Sequence, residues 1–352
     1  MYNSQVIAVL NHLSEIKGIV KLISIVSFRS FFFQYKEVKS NYTNSIIIPN
    51  FFGLRNWFFF KILIKIITKN SEYIICRGVF ATNIALGLSE SLKVIYDGRG
   101  AISAEQDEYG VYNKTGVENK IFELERKAVL ESDFRVSVSE KLVNYWKEKF
   151  DYKDKNHVVI PCSYSIKNNN GLSRSDLNYS KEDIIIVFSG SLSKWHSFDT
   201  MKKHFENYMK SNNYIKILFL SKKSEISESL KKLFPGRIKD FWLHPNEINS
   251  FLSVADYGYV FRENSITNRV ASPVKIAEYL SCGLKILISE NLGDYSQEIQ
   301  KNDLGFLIKV NSPLPKLALL KSNERKRIKL FAKNKLYLKS EDISSKYKSI
   351  FQ

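Results

Sequence analysis

A chain of 352 residues, 44% hydrophobic and 25% charged, is long enough for two ordinary domains, and its near-average composition excludes wholesale disorder. Lys and Arg number 53 against 36 Asp and Glu, a formal net charge of +17, which implies attraction to a polyanion, nucleic acid or an anionic membrane face, or else the lysine loading of an AT-rich genome, which abundant asparagine and isoleucine also mark. Three scattered cysteines, Cys76, Cys162 and Cys282, with no CxxC pair and no histidine cluster, exclude a disulfide scaffold or a zinc site and fit a reducing cytosol.

The start, Met1 to Val6, lacks the basic flank and cleavage site of a signal peptide, and no apolar run reaches the roughly 18 residues of a spanning helix. Along the first half, Val20 to Val26, Tyr73 to Cys76, Lys93 to Tyr96, Phe134 to Val138 and His157 to Ile160 read as short buried strands. Helical spacing runs near Ala81 to Leu88, Asn119 to Glu131 and Glu140 to Lys149. Such alternation predicts a parallel sheet covered on both faces, a Rossmann-like domain. Arg55 to Lys69 predicts a helix with Lys61, Lys65 and Lys69 on one narrow stripe beside a broad apolar and aromatic surface, with Phe31 to Phe33 adding bulk nearby. Two readings stand: the wide face buried on the sheet, or a helix lying at a lipid interface.

Lys167 to Ser180 is polar and rich in turn residues and reads as a linker. The strand pattern then restarts at Ile184 to Phe188 and continues through Ile215 to Leu220, Lys239 to Leu243, Tyr257 to Phe261 and Lys285 to Ser289, a second α/β domain. Gly190-Ser191, directly after its first strand, is a tight turn whose amides can approach a phosphate. Near the end, Val270-Ala-Ser-Pro-Val-Lys-Ile-Ala-Glu-Tyr-Leu-Ser-Cys-Gly283 reads as loop, helix and glycine stop, with Pro273 in the first turn and Gly283 closing the helix. A helix start presents free N–H groups and a positive dipole end to an anion; Lys275 adds charge, and Glu278 one turn on can accept from ligand hydroxyls. Phosphate plus sugar hydroxyls is the simplest ligand using both. Lys194, Arg262 and Lys275 follow strand ends or open helices, where they either converge on an anion or stand as solvated surface cations. Asp97-Gly-Arg-Gly100 follows a strand in the first domain; Asp97 and Arg99 either pair with each other or contact a ligand at that sheet edge.

These segments, with Phe241 to Arg262, Val187 to Trp195, Cys76-Arg-Gly78 and Tyr96 to Gly100, resemble in order and spacing the retaining family-4 glycosyltransferases, and the Ser-Pro-x-Lys arrangement before Glu278 resembles a bacterial polysaccharide sub-branch of them. The resemblance implies the GT-B fold: two doubly wound Rossmann-like domains facing across a cleft, with a C-terminal helix returning to the first. It implies an acceptor domain over 1–165, a linker over 166–181, a donor domain over 182–335 and the returning helix over 336–352. Relatives open with a strand and glycine loop ahead of the helix that here holds Ser4-Gln-Val6, so the first strand is expected to lie upstream or to be missing.

The donor set so implied is Gly190, Ser191, Lys194, Leu243, His244, Arg262, Asn268, Ser272, Pro273, Val274, Lys275 and Glu278, with the backbone at Leu243 and His244 holding the base. Asp97, Arg99, Arg262 and Lys275 are the catalytic candidates, and Arg77, Gly78 and Glu105 the acceptor-side ones. Val270 stands where the family's first donor-loop glutamate is usual, so part of that contact set is expected to pass to Ser272 to Lys275. No metal and no cofactor are expected, since no Asp-x-Asp motif in the right strand context appears and the cations and helix dipole do that work. The expected partners are a UDP- or GDP-sugar, a lipid-linked or saccharide acceptor and the anionic inner membrane surface, with nucleic acid not expected and a cytoplasmic, peripheral location. A catalytically impaired binding module and a GT-B nucleotide-sugar epimerase are the alternatives.

Overall fold

A computed structural model describes residues 3–51, 53–153, 155–165, 171–190 and 197–352. Ser191, Lys194 and the start of the polar linker therefore lie outside the described residues. Every strand ladder is parallel. Parallel neighbours require long crossovers, which helices supply. The chain divides into two compact units, Met1–Ser165 with Leu338–Gln352, and Ile166–Tyr337.

The first unit runs through α1 (Ala8–Lys17), β1 (Leu22–Ser27), α2 (Phe31–Asn41), β2 (Ser45–Asn50), a 3-10 turn at Leu54–Phe59 and α3 (Phe60–Ile67). It continues with β3 (Tyr73–Arg77), α4 (Val79–Ala85), β4 (Lys93–Gly98), α5 (Ile102–Tyr109), α6 (Ile121–Glu131), β5 (Phe134–Ser137), α7 (Glu140–Phe150) and β6 (His157–Val159). Its strands form a pair, β1-β2, and a four-stranded sheet, β3-β4-β5-β6, in place of one continuous sheet. One core still joins them, because Ile48 of the pair and Cys76 and Val94 of the larger sheet pack with Phe60, Ile64 and Ile84.

The helix predicted over Arg55 to Lys69 is shorter than its pattern. Asn56 takes φ −111° and ψ 26°, which breaks the first turns, and the α-helix proper ends at Ile67, short of Lys69. Its wide apolar face is not on the sheet. Phe60 and Ile64 are buried, whereas Ile62, Leu63 and Ile66 are 75%, 41% and 69% exposed.

The second unit holds β7 (Ile184–Ser189), α8 (Phe198–Ser211), β8 (Ile215–Leu220), α9 (Glu225–Leu233), β9 (Ile238–Phe241), α10 (Ile248–Leu252), β10 (Tyr257–Val260) and α11 (Ile266–Arg269). Then follow α12 (Val274–Ser281), β11 (Lys285–Ser289), α13 (Tyr295–Lys301), β12 (Gly305–Ile308) and α14 (Ser322–Lys335). The sheet order β12-β11-β10-β7-β8-β9 is doubly wound. The chain moves one way from β7 to β9 and the other way from β10 to β12, so the topological switch lies between β7 and β10, where ligands bind such sheets.

Residues 171–180 are not a free tether. Leu177 and Tyr179 are buried, and Arg174 donates twice to the Asp256 carboxylate at 2.8 Å. Asp256, wholly buried, also accepts from Arg325 Nη2 at 2.6 Å and from the Ile185 N–H at 2.9 Å. After α14 the chain returns to the first unit as α15 (Glu341–Ser349), with Ser344 Oγ 3.2 Å from His12 Nε2 and Tyr347 buried.

Candidate functional site

The helix α12 is cut as the sequence predicts, displaced by one position. Pro273 is its N-cap, with ψ 122°, and the first helical residue is Val274. At the other end Gly283 takes φ +81°, and the Gly283 N–H to Leu280 O and Leu284 N–H to Tyr279 O bonds, 3.0 and 3.1 Å, form a Schellman stop.

Three contacts fix where this helix starts. The Ser189 N–H at the end of β7 donates to the Tyr279 hydroxyl oxygen at 2.8 Å. Gly258 of β10 lies directly under the same ring, since a Cβ there would sit 2.1 Å from Tyr279 Cδ2. Gly293, at φ +51°, approaches so closely that its Cβ would meet the Ala271 carbonyl oxygen at 1.9 Å. Tyr279, Gly258 and Gly293 were not among the residues the sequence singles out as site residues, although an isolated glycine inside the apolar strand Tyr257 to Val260 is a legible mark of close approach.

Gly258→Ala is therefore expected to destabilise the protein by about 1–3 kcal/mol through overpacking. Urea unfolding reads this as a lower midpoint at unchanged slope. An unchanged midpoint would mean that Tyr279 moves aside freely and does not position the helix.

The ammonium of Lys275 lies within this frame. Its Nζ is sealed from solvent, has no hydrogen-bond partner among the described residues and sits 4.8 Å from the Phe188 ring centroid. Burial pushes its pKa down to about 7, the positive Arg262 acts the same way, and Glu278 opposes both. A buried cation without a carboxylate or carbonyl partner is costly. An anion bound at the start of α12 would relieve that cost.

Arg262 follows β10, its N–H donating to Ser289 Oγ at 3.2 Å and its Nη1 to Asn268 Oδ1 at 3.3 Å. Asn268 is 1% exposed; its Nδ2 donates to Glu263 O at 3.0 Å and its carbonyl accepts from the Gly293 N–H at 3.1 Å. Asn268 thus orders the loop and orients Arg262, with Ser289 as a further contact at the end of β11. Ser272 is buried and Val270 is 3% exposed, packed inward at the position where the family's first glutamate is usual.

Gly190 leaves β7 with φ 151°, its N–H bonded to Leu220 O at 3.2 Å. Leu243 and His244 follow β9, the edge strand two places from β7, and His244 is exposed in a turn closed by Glu247. Beside them Trp242 is 67% exposed, with Lys222 Nζ 5.4 Å from its ring centroid. The second unit thus brings Gly190, Arg262, Asn268 and Lys275 to the switch point and sets Leu243 and His244 to one side along the same sheet edge.

The first-unit candidates form a separate cluster. Arg99 Nε lies 2.8 Å from Asp97 Oδ1 and 3.0 Å from Oδ2, so the two residues pair. The Gly78 N–H donates to the Asp97 carbonyl at 3.2 Å, and Arg77 Nη1 donates to Gln5 O at 2.6 Å. The glycines around Arg99 are explained by packing: a Cβ on Gly98 would meet Trp146 Cζ2 at 2.6 Å, and one on Gly100 would meet Glu105 Oε1 at 2.6 Å.

No protein-family model and no curated protein matches the chain. Solved structures match it in fold. A sucrose-phosphate synthase from Thermosynechococcus elongatus has TM-score 0.64 at 13% identity, over 88% of this chain and 83% of that one. Anabaena HepE, in complex with UDP and glucose, has TM-score 0.63 at 12% identity, over 92% and 90%. WaaG, a glycosyltransferase involved in lipopolysaccharide biosynthesis, has TM-score 0.60 at 10% identity, over 94% and 99%. At these identities the likeness establishes the fold, the GT-B arrangement of two Rossmann-like units.

Proposed function

We propose that this chain is a retaining glycosyltransferase of the family-4 type, moving a sugar from a UDP- or GDP-sugar to a lipid-linked or polysaccharide-precursor acceptor. The observation that carries the reading is the sealed ammonium of Lys275 at the start of α12, without a hydrogen-bond partner among the described residues, beside Arg262 and at the switch point of the sheet. The diphosphate of the donor supplies the missing anion. Lys275, Arg262 and the first N–H groups of α12 hold it, Glu278 accepts from sugar or ribose hydroxyls, and Leu243 and His244 with the exposed Trp242 ring meet the base.

In the reaction the bond from the anomeric carbon to the diphosphate oxygen breaks, and the acceptor oxygen bonds to that carbon on the same face. The acceptor proton passes to the departing diphosphate oxygen. Fixed positive groups stabilise the charge that develops on that leaving group, and no metal is required. Asp97, Arg99, Arg77, Gly78 and Glu105 form the acceptor side.

The fold likeness to HepE, whose solved structure holds UDP and glucose, and to WaaG, which serves lipopolysaccharide biosynthesis, supports a nucleotide-sugar donor and a role in bacterial surface polysaccharide assembly. A cytoplasmic place at the inner membrane face follows from that acceptor; among the described residues no helix is long and apolar enough to cross a membrane.

The inward-packed Val270 favours a second reading, a nucleotide-binding module without transfer activity. Thermal unfolding with UDP, GDP, ADP, CMP and their sugars tests both. One nucleotide at a hundred times its Kd should add about 2.7 kcal/mol of stability. Stabilisation by a nucleotide without turnover of its sugar would favour the module, and no response to any of them would overturn both readings.

A further inference from the structure

The first unit carries an aromatic belt that lies outside the donor site, with Trp57 packed against the core and its other rings partly or largely exposed. Phe28 follows β1 and Phe51 follows β2, their rings 4.4 Å apart, at 48% and 61% exposure. Phe58 and Phe59, 50% and 56% exposed, lie 4.4 Å apart in the next turn. Trp57 in that turn is 6.3 Å from Phe80, which opens α4 after β3, and Phe80 is 5.8 Å from Tyr112 beyond α5. The belt therefore follows the carboxyl ends of β1, β2 and β3, the edge where Arg77, Gly78 and the Asp97–Arg99 pair also sit. Beside it the outward face of α3 presents Ile62, Leu63 and Ile66 next to a stripe of Lys61 and Lys65, both exposed. Charge in this stretch is one-sided: residues 28–69 hold seven basic side chains, Arg29, Lys36, Lys39, Arg55, Lys61, Lys65 and Lys69, and one acidic one, Glu37.

We propose that this edge is a lipid interface, with the aromatic belt and the α3 face entering the headgroup region of an anionic bilayer while Lys61, Lys65 and Arg55 bind its phosphates. Aromatic rings and aliphatic side chains flanked by basic residues suit that layer, where the apolar part is buried and the cations meet negative headgroups. A soluble partner would match the apolar patch, but the one-sided charge selects an anionic surface. The docking stands without the sugar-transfer reading; its use rests on that reading. A lipid-linked acceptor could then reach the Arg77 and Asp97 edge without leaving the bilayer.

Flotation with phosphatidylcholine vesicles, with and without phosphatidylglycerol, tests the proposal. The full chain should float with the anionic vesicles and much less with the neutral ones, and high salt should release part of it. Ile62→Ser/Ile66→Ser and, separately, Lys61→Glu/Lys65→Glu should each lower partitioning about tenfold or more, at an unchanged melting temperature because all four side chains are exposed. Failure of the full chain to bind anionic vesicles would overturn the proposal, as would variants that float like the parent. Self-association abolished by Ile62→Ser/Ile66→Ser, without vesicle binding, would reassign the face to a second copy of this chain. Nucleotide stabilisation measured on the same preparations separates the two ideas: if it persists while flotation fails, only the docking falls.

Discussion

Lys275→Met is expected to abolish nucleotide-induced stabilisation and to slow sugar transfer about 10²–10³-fold, the loss seen when one preorganised charge-stabilising group is removed. The same variant should be no less stable than the parent without ligand, because it deletes a buried cation that has no hydrogen-bond partner among the described residues. The pH dependence has a definite sign. Lys275 titrates at about 7 in the native chain against 10.5 as an ordinary lysine, its pKa lowered first by burial and then by Arg262. Between those values the unfolded chain binds more protons than the native one, so ligand-free stability rises with pH through that window. Below about pH 7 both states are protonated and the full penalty, a few kcal/mol, stands.

Lys275→Met should therefore exceed the parent in stability at pH 6 to 7, the gap closing as pH rises toward 10.5. Nucleotide affinity of the parent should weaken above pH 7 as the free ammonium deprotonates, and the variant should show no such slope. Urea unfolding and calorimetric titration across that range check both. A variant that keeps the nucleotide response would remove Lys275 from the site.

Asp256→Ala is expected to cost about 3–5 kcal/mol, the usual result of stripping one partner from a buried ionic cluster. Its carboxylate takes Arg174 and Arg325 together, plus a backbone N–H from β7. Without it two guanidinium groups face each other across a buried space. The second unit should then melt earlier in urea, and nucleotide should recover part of the loss if the donor site lies in that unit. A change under about 1 kcal/mol would mean that the arginines find other acceptors and that the cluster does not hold residues 171–180 in place.

Much of the second unit is legible in the chain. Pro273 and Gly283 mark the ends of α12 to within one residue because both act through local backbone chemistry, a missing N–H and a left-handed φ. The strands β7, β8, β10 and β11 are near-continuous apolar runs, interrupted by Lys216 in β8 and opened by Lys285 in β11, the signature of strands buried on both faces. Two strands are harder to read. Ser45–Asn50 contains Pro49, which argues against a strand interior; β2 tolerates it because, among the described residues, it pairs with β1 alone and so is an edge strand. Gly305–Ile308 is short and opens on a glycine that lies against the Ile286 carbonyl, where a Cβ would come within 2.0 Å.

What the sequence by itself determined is the alternation of apolar strands with helices, the ends of α12 and the presence of cations at strand ends, all set by periodicity and turn chemistry within a few residues. Only the tertiary structure decided which of those features matter. Helical spacing defines two faces of α3, but packing against Ile48 and Ile84 chose Phe60 and Ile64 for the core and left Ile62 and Ile66 outside. Asp97 and Arg99 are adjacent in any reading, yet their pairing emerged from the fold around them. The lowered pKa of Lys275 depends first on burial and then on Arg262, and neither the packing that buries it nor the approach of Arg262 is set by its neighbours along the chain. Burial and electrostatics are sums over neighbours in three dimensions, and one dimension supplies only the candidates.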